Sequence, residues 1–347
     1  MSSIAIRSGE ELPIGALTEY LRGKIEGVET GLIVEQFREG HSNLTYHLMC
    51  ANGREYVLRR PPVGPTAPKA HDMVREYRFL QAVHHHFPEA PRPCHLCEDT
   101  AVLGVVFFVM ECRPGIILRH TLPPEFLQIP DHPLRISEAF LSCLVRLHAI
   151  DVADPALAAL GKPQGFLERQ VQGWSERWNR ARTQDVPEMD LVGGWLAGNL
   201  PCSPPAALIH NDYKLDNVVF RSVDEVEAVL DWEMATIGDP LADFGLALCY
   251  WTWVEAPGVR GPVASLTSGR GWHGRQELIA RYAEQTGRDL SRIVYYEVLG
   301  IYKLAVILQQ IYHRFWRGQT RDERFQNFNQ RAASLAHLAA SVVEKQG

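Results

Sequence analysis

The chain has 347 residues, of which 46% are hydrophobic and 22% charged. That is enough apolar material for a substantial core and for two domains, and the composition excludes global disorder. A net charge of −6 and a pI near 6.2 argue against a dedicated nucleic-acid binder, which shows a basic stripe and a high pI.

Seven scattered cysteines, an odd number, suit free thiols in a reducing cytosol better than a disulfide framework. Cys94 and Cys97 form a C-x-x-C, but a zinc site needs about four ligands and no second pair lies at a suitable spacing. Residues 1–11 lack the continuous apolar stretch of a signal peptide. No apolar run approaches the roughly 18 residues of a membrane helix. The expectation is a soluble cytoplasmic protein with neither membrane nor nucleic acid as partner.

In chain order, residues 12–26 suggest a first helix. Strands follow at 32–37, 44–50 and 55–60, the last two joined by Ala51-Asn52-Gly53, a good hairpin turn. The Pro- and Gly-rich stretch 61–69 reads as a loop. Residues 71–87 carry Met73, Tyr77, Leu80 and Phe87 on one helical stripe. The run 102–111 (VLGVVFFVME) is short, apolar and β-branched, which predicts a buried strand stopped by Arg113-Pro114-Gly115. Helices are then expected at 133–149, 166–183, 188–199, 273–286 and 291–316, with a hairpin at 218–221 and 227–231 and a loop at 257–271. The fold class is α+β, with a small antiparallel-sheet N-terminal lobe at 1–111, a helical C-terminal lobe at 112–347, and a cleft between them.

The chemistry is concentrated in Ile209-His210-Asn211-Asp212-Tyr213-Lys214-Leu215-Asp216-Asn217 and, 14 residues beyond Asn217, in Asp231-Trp232-Glu233. Phosphoryl transfer needs one carboxylate near the attacking hydroxyl, and a second carboxylate with an amide oxygen to hold Mg²⁺ against the phosphates. Asp212 suits the first role, as catalytic base. Asn217 and Asp231 suit the second, as metal ligands. An intervening hairpin returns the chain to where it began. Asp and Asn also satisfy ordinary turns. But Asp231 follows Val229-Leu230 on an apolar strand, where a carboxylate needs a strong partner such as a metal.

Several further stretches stand beside these: residues 40–46 (GHSNLTY), 56–62 (YVLRRPP), Arg75-Glu76-Tyr77 and the run from Gly238 to Asp243. On these residues the chain resembles the aminoglycoside phosphotransferase and choline kinase superfamily, small-molecule relatives of the protein kinases. Within it, the likeness is nearest to the kinase-like domains attached to acyl-CoA dehydrogenases. The resemblance runs from about residue 37 to about 319. It implies a protein-kinase-like fold and an ATP- and Mg²⁺-dependent phosphotransferase acting on a small-molecule hydroxyl.

The resemblance also implies nucleotide-binding residues. Ser42 and Asn43 would reach the phosphates from a loop with a single glycine, or else form an ordinary hairpin turn. Arg59 stands where protein kinases present Lys; a guanidinium contacts phosphate with different geometry, and the alternative is a surface strand residue. Glu76, on a helix face with Met73, Leu80 and Val83, would pair with Arg59, or else sit partly exposed. Glu111 and Cys112 would be the joint whose backbone holds adenine. Asp239 and Asp243 are read as structural, capping a helix and bracing the catalytic loop. His210 and His148 are read as packing residues.

The acceptor region should lie in the helical part. Trp174, Arg177, Trp178, Arg180 and Arg182, and then Tyr312, Arg314, Phe315, Trp316 and Arg317, are basic and aromatic. That composition suits an anionic or acyl acceptor such as a hydroxyacyl-CoA better than a polycation; the alternative is solvated helix faces with Trp in the core. Two other functions stay open: a nucleotide-binding scaffold without turnover, favoured by Arg59 and the Gly-poor loop, and an aminoglycoside or amino-alcohol kinase. A protein kinase is disfavoured because no A-P-E motif follows Asp231.

Overall fold

The computed structural model describes residues 3–37, 43–62, 71–252, 266–320 and 322–346. They form two compact units, one from Met1–Ile117 with Asn217–Ala235, the other from Leu118–Asp216 with Thr236–Gly347. The segment around the predicted hairpin therefore belongs, by compactness, with the first 117 residues.

The first unit contains β1 (Ser3–Ile4), β2 (Leu32–Phe37), β3 (Leu44–Cys50), β4 (Glu55–Arg60), β5 (Pro93–Cys97) and β6 (Phe107–Glu111) in one six-stranded antiparallel sheet of order β1-β2-β3-β4-β6-β5. Strict alternation along β3 buries Leu44, Tyr46, Leu48 and Cys50, so one face packs on Leu17 and Leu21 of the helix Ile14–Leu21. The hairpin turn forms as expected, with Gly53 at φ 84, a backbone angle that glycine adopts without strain.

Thr45 pairs with Arg59 and His47 with Val57, which puts Arg59 on the opposite face from Arg60. The helix Met73–Val83 is capped by Asp72, whose side chain accepts from Arg75 N at 2.9 Å. A second sheet joins β7 (Ile116–Ile117) to the hairpin strands Val218–Ser222 and Glu225–Val229.

Two local expectations differ from the structure. Residues 100–103 form a helical turn, not strand, because Asp99 caps it and Gly104 at φ 76 ends it, so the buried strand starts at Phe107. Pro93–Cys97 is a strand that its weak, half-buried pattern does not announce.

The second unit is helical, with His132–His148, Phe166–Ala181, Pro187–Gly198, Pro240–Thr252, Arg275–Thr286 and Ile293–Trp316. A further helix, Phe328–Glu344, buries Ala332, Leu335, Ala336, Ala339 and Ala340; it lies beyond the last predicted element. A two-stranded ribbon pairs Ala207–Ile209 with Thr236–Gly238. The helices Pro240–Thr252 and Ile293–Trp316 approach closely. A Cβ at Gly245 would lie 2.7 Å from Tyr296, and one at Gly300 2.8 Å from Cys249 Sγ. No described helix is long and apolar enough to cross a membrane.

Candidate active site

The first unit concentrates acid around one buried guanidinium. Arg59, 7% exposed, reaches from β4 to Glu76 of the neighbouring helix, Nε to Oε2 3.0 Å, and hydrogen-bonds Asp231 Oδ1 through Nη2. Glu233 Oε2 lies 3.8 Å from the same Nη2. Glu233 also accepts from Asn43 Nδ2 at 2.8 Å, and His71 Nδ1 lies 2.8 Å from Asn43 Oδ1. Arg75 donates to the carbonyls of Glu233 at 2.7 Å and Ala235 at 2.5 Å, fastening the turn that follows Asp231. Asp231 itself sits at φ 68, a left-handed conformation that Asp tolerates.

Among the described residues, three carboxylates thus gather at one guanidinium, with His71 Nδ1 3.9 Å from Glu233 Oε2. Burial pushes Glu76 up to about 8; Arg59 opposes the shift and Asp231 and Glu233 add to it. Burial alone would lower Arg59, but Asp231, Glu76 and Glu233 hold it above its ordinary range. At the neck of the Val218–Val229 hairpin, Leu230 N donates to Asn217 O at 2.7 Å, so Asn217 and Asp231 close the same hairpin. The carboxylate of Asp231 and the amide oxygen of Asn217 are hard donors of the kind that fit Mg²⁺.

Glu111 ends β6 beside Tyr56. Its side chain turns to Arg92 N at 2.8 Å and Arg113 Nε at 3.5 Å. The N–H groups of Glu111 and Cys112 donate within the sheet, to Arg92 O at 3.0 Å and Glu55 O at 3.4 Å. Burial, then Glu55, pushes the Cys112 thiol up to about 11. Ser42 lies outside the described residues.

The second unit carries the loop after the strand Ala207–Ile209. Asp243, fully buried in the helix Pro240–Thr252, accepts from His210 N at 2.7 Å and Asn211 N at 2.8 Å, and His148 Nε2 stands 3.2 Å from it. Asp239 accepts from Leu241 N at 2.9 Å at the start of the same helix, and from Tyr296 Oη at 2.9 Å. Asp212 Oδ1 accepts from Tyr250 Oη at 2.7 Å, and Lys214 Nζ is 2.9 Å from Oδ2. Burial would raise the Asp212 carboxyl, but Lys214, the Tyr250 hydrogen bond and Lys303 outweigh it and hold it below the usual carboxylate range. It is an ionised, oriented acceptor at neutral pH.

Lys303, Tyr250, Lys214 and His71 were not singled out from sequence. The signal for Lys303 was there: one Lys within the buried run from Tyr295 to Val306. Trp174 and Trp178 are buried, with the Arg177 guanidinium 4.5 Å and the Lys303 ammonium 5.6 Å from the Trp174 ring centre. A cavity of about 1320 Å³ in the second unit, lined by Trp251, Trp272, Ile301 and Leu338 among others, does not include Asp212.

An antiparallel-sheet N-terminal region, a helical C-terminal region and these polar clusters define a phosphotransferase of kinase-like fold. The chain belongs to the phosphotransferase enzyme family, whose model matches residues 33–284. It is 33% identical over 346 residues to acyl-CoA dehydrogenase family member 10 of Mus musculus, covering 99% of this chain and 32% of that protein. It is 32% identical over 353 residues to acyl-CoA dehydrogenase family member 11 of Gallus gallus, covering 98% and 44%. The chain thus spans a third to under a half of those relatives. Among solved structures, a putative aminoglycoside phosphotransferase from Ralstonia eutropha superposes with TM-score 0.81 at 29% identity, covering 96% of this chain and 99% of that one. Choline kinase from Cryptosporidium parvum, at TM-score 0.67 and 13% identity over 96% of each chain, shares the fold.

Proposed function

We propose that this chain transfers the γ-phosphoryl group of ATP, with Mg²⁺, to a hydroxyl of a small molecule. The observation that carries the reading is Arg59 held between Glu76 and Asp231. The contacts among Arg59, Glu76 and Asp231 support reading them as a phosphate-binding cation, its helix partner and a metal-ligand carboxylate, which phosphoryl transfer requires.

Asn217 and Asp231 would hold the metal, which when bound neutralises phosphate charge. Arg59, kept in place by Glu76, would bind phosphate oxygens through the guanidinium edge that Asp231 now takes. Ser42 and Asn43 would lie over the phosphates. Glu111 and Cys112 would offer adenine their carbonyls, their N–H groups being engaged in the sheet. Asp212 would accept the hydrogen bond of the acceptor hydroxyl, orient it and take its proton as the transfer completes. A carboxyl this acidic acts mainly by orientation, which suits a loose transition state.

The acceptor we favour is anionic or acyl, such as a hydroxyacyl-CoA. Lys214 and Arg177 support it, as does the likeness to proteins named for acyl-CoA dehydrogenases. The test is ATP turnover over a panel of hydroxyacyl-CoAs, sugars, amino alcohols and aminoglycosides. Turnover of amines or sugars with none of the thioesters would overturn the acceptor class. A scaffold without turnover is the second reading, favoured by Arg in place of Lys; ligand stabilisation follows mass action, and a thermal shift with ATP that ignores Mg²⁺ would select it.

A further inference from the structure

The residue before Asp212 is held in an unusual way. Asn211 has φ 64, in the left-handed region that few side chains accept. Its N–H donates to Asp243 Oδ1 at 2.8 Å, and its carbonyl accepts from Lys303 Nζ at 2.7 Å. That carbonyl belongs to the same planar unit as the N–H of Asp212, which donates to His210 Nδ1 at 3.3 Å. The plane leading into Asp212 is therefore gripped at both ends, by Lys303 and by His210.

Lys303 is 6% exposed, and an ammonium taken from water needs compensation. It projects from a closely packed helix: Gly300 and Gly245 let Ile293–Trp316 lie against Pro240–Thr252 with no room for a Cβ. The groups facing Lys303 are Asp212 and Lys214 of the loop, Asp243 of the helix Pro240–Thr252 and Arg177 of the helix Phe166–Ala181. Burial lowers the ammonium's pKa, the two carboxylates raise it, and Lys214 and Arg177 lower it further, to about 8.

We propose that Lys303 is a positioning residue for phosphoryl transfer: its ammonium fixes the Asn211–Asp212 peptide plane and so aims the Asp212 carboxylate. This rests on the phosphotransferase reading with Asp212 as proton acceptor. Loss of the charge frees the carbonyl, lets the loop leave its left-handed kink and turns the carboxylate away from the acceptor, while the nucleotide's own contacts are untouched.

The experiment compares the full chain with Lys303→Met and Lys303→Arg, using MgATP and the acceptor that turns over fastest in the panel, or water if none does. Lys303→Met is expected to lower kcat by about 10²-fold, the cost of a misplaced reacting group, with KM for MgATP unchanged. Wild-type kcat should fall as pH rises through about 8. Lys303→Arg, whose charge persists in alkali, should restore most of kcat and move that limb to higher pH.

Hydrogen exchange gives a readout independent of turnover: the amides of Asp212 and Tyr213 should exchange faster in Lys303→Met. Unchanged kcat in Lys303→Met, or unchanged exchange at those amides, overturns the proposal. If Lys303→Met does not fold, a wild-type kcat flat across pH 8 overturns it. Absence of any MgATP turnover with normal protection at Asp212, lost in Lys303→Met, would instead sink the phosphotransferase reading and leave Lys303 only a structural hold on the loop.

Discussion

The two units place carboxylates in opposite electrostatic settings. In the first, Glu76, Asp231 and Glu233 crowd one guanidinium and Glu76 is pushed up to about 8. In the second, Asp212 meets Lys214, Lys303 and the Tyr250 hydroxyl, and its carboxyl is pushed down. Desolvation acts on both in the same direction, so the neighbours decide the outcome. The acid-rich cluster raises its most buried carboxyl; the cation-rich one keeps its carboxylate ionised.

The sharpest way to break this comparison is Asp212→Asn, which keeps the shape and removes the charge. We expect kcat to fall by about 10²–10⁴-fold, with MgATP binding retained in a thermal-shift titration. Near wild-type kcat would remove Asp212 from the chemistry.

Next in size is Arg59→Met, which strands three carboxylates. Removing one partner of a buried ion pair costs about 3–5 kcal/mol, measured by denaturant unfolding without nucleotide, and Mg²⁺ should then stabilise the variant more than the wild type. No loss of stability would mean that other groups compensate these carboxylates without Arg59.

A smaller effect has a definite sign. Between its folded pKa of about 8 and its ordinary 10.5, Lys303 is protonated only in the unfolded chain. The unfolded state then binds more protons, so stability contributed by this group rises with pH across that window and the cost of burying the charge returns below it. The wild type should gain stability relative to Lys303→Met as pH rises from about 8, in the window where its kcat declines. The smallest effect is Asp72→Ala, which removes the cap of the helix bearing Glu76 and should cost about 1 kcal/mol in the same unfolding assay, with little change in kcat.

Much of this was legible in the sequence because it is written locally. The β3–β4 hairpin follows from period-two alternation and an Asn-Gly turn. The spacing from Asp212 to Asn217 and on to Asp231 is a property of one continuous segment. Met73, Leu80 and Val83 on one helical stripe placed Glu76 on the buried side. The helical turn at Thr100–Leu103 was hidden because an apolar run does not tell strand from helix, and its capping by Asp99 decided the matter.

What the sequence by itself determined was the inventory of acid, amide and cation and the segments that carry them. The tertiary structure alone decided the longer-range pairings: Arg59 meets Asp231 across 172 residues and Lys303 meets the Asn211 carbonyl across 92. Such pairings depend on strand register and on the close approach of two helices at Gly245 and Gly300. No local pattern encodes them, because periodicity reports which face a side chain takes and not what the fold brings to meet it.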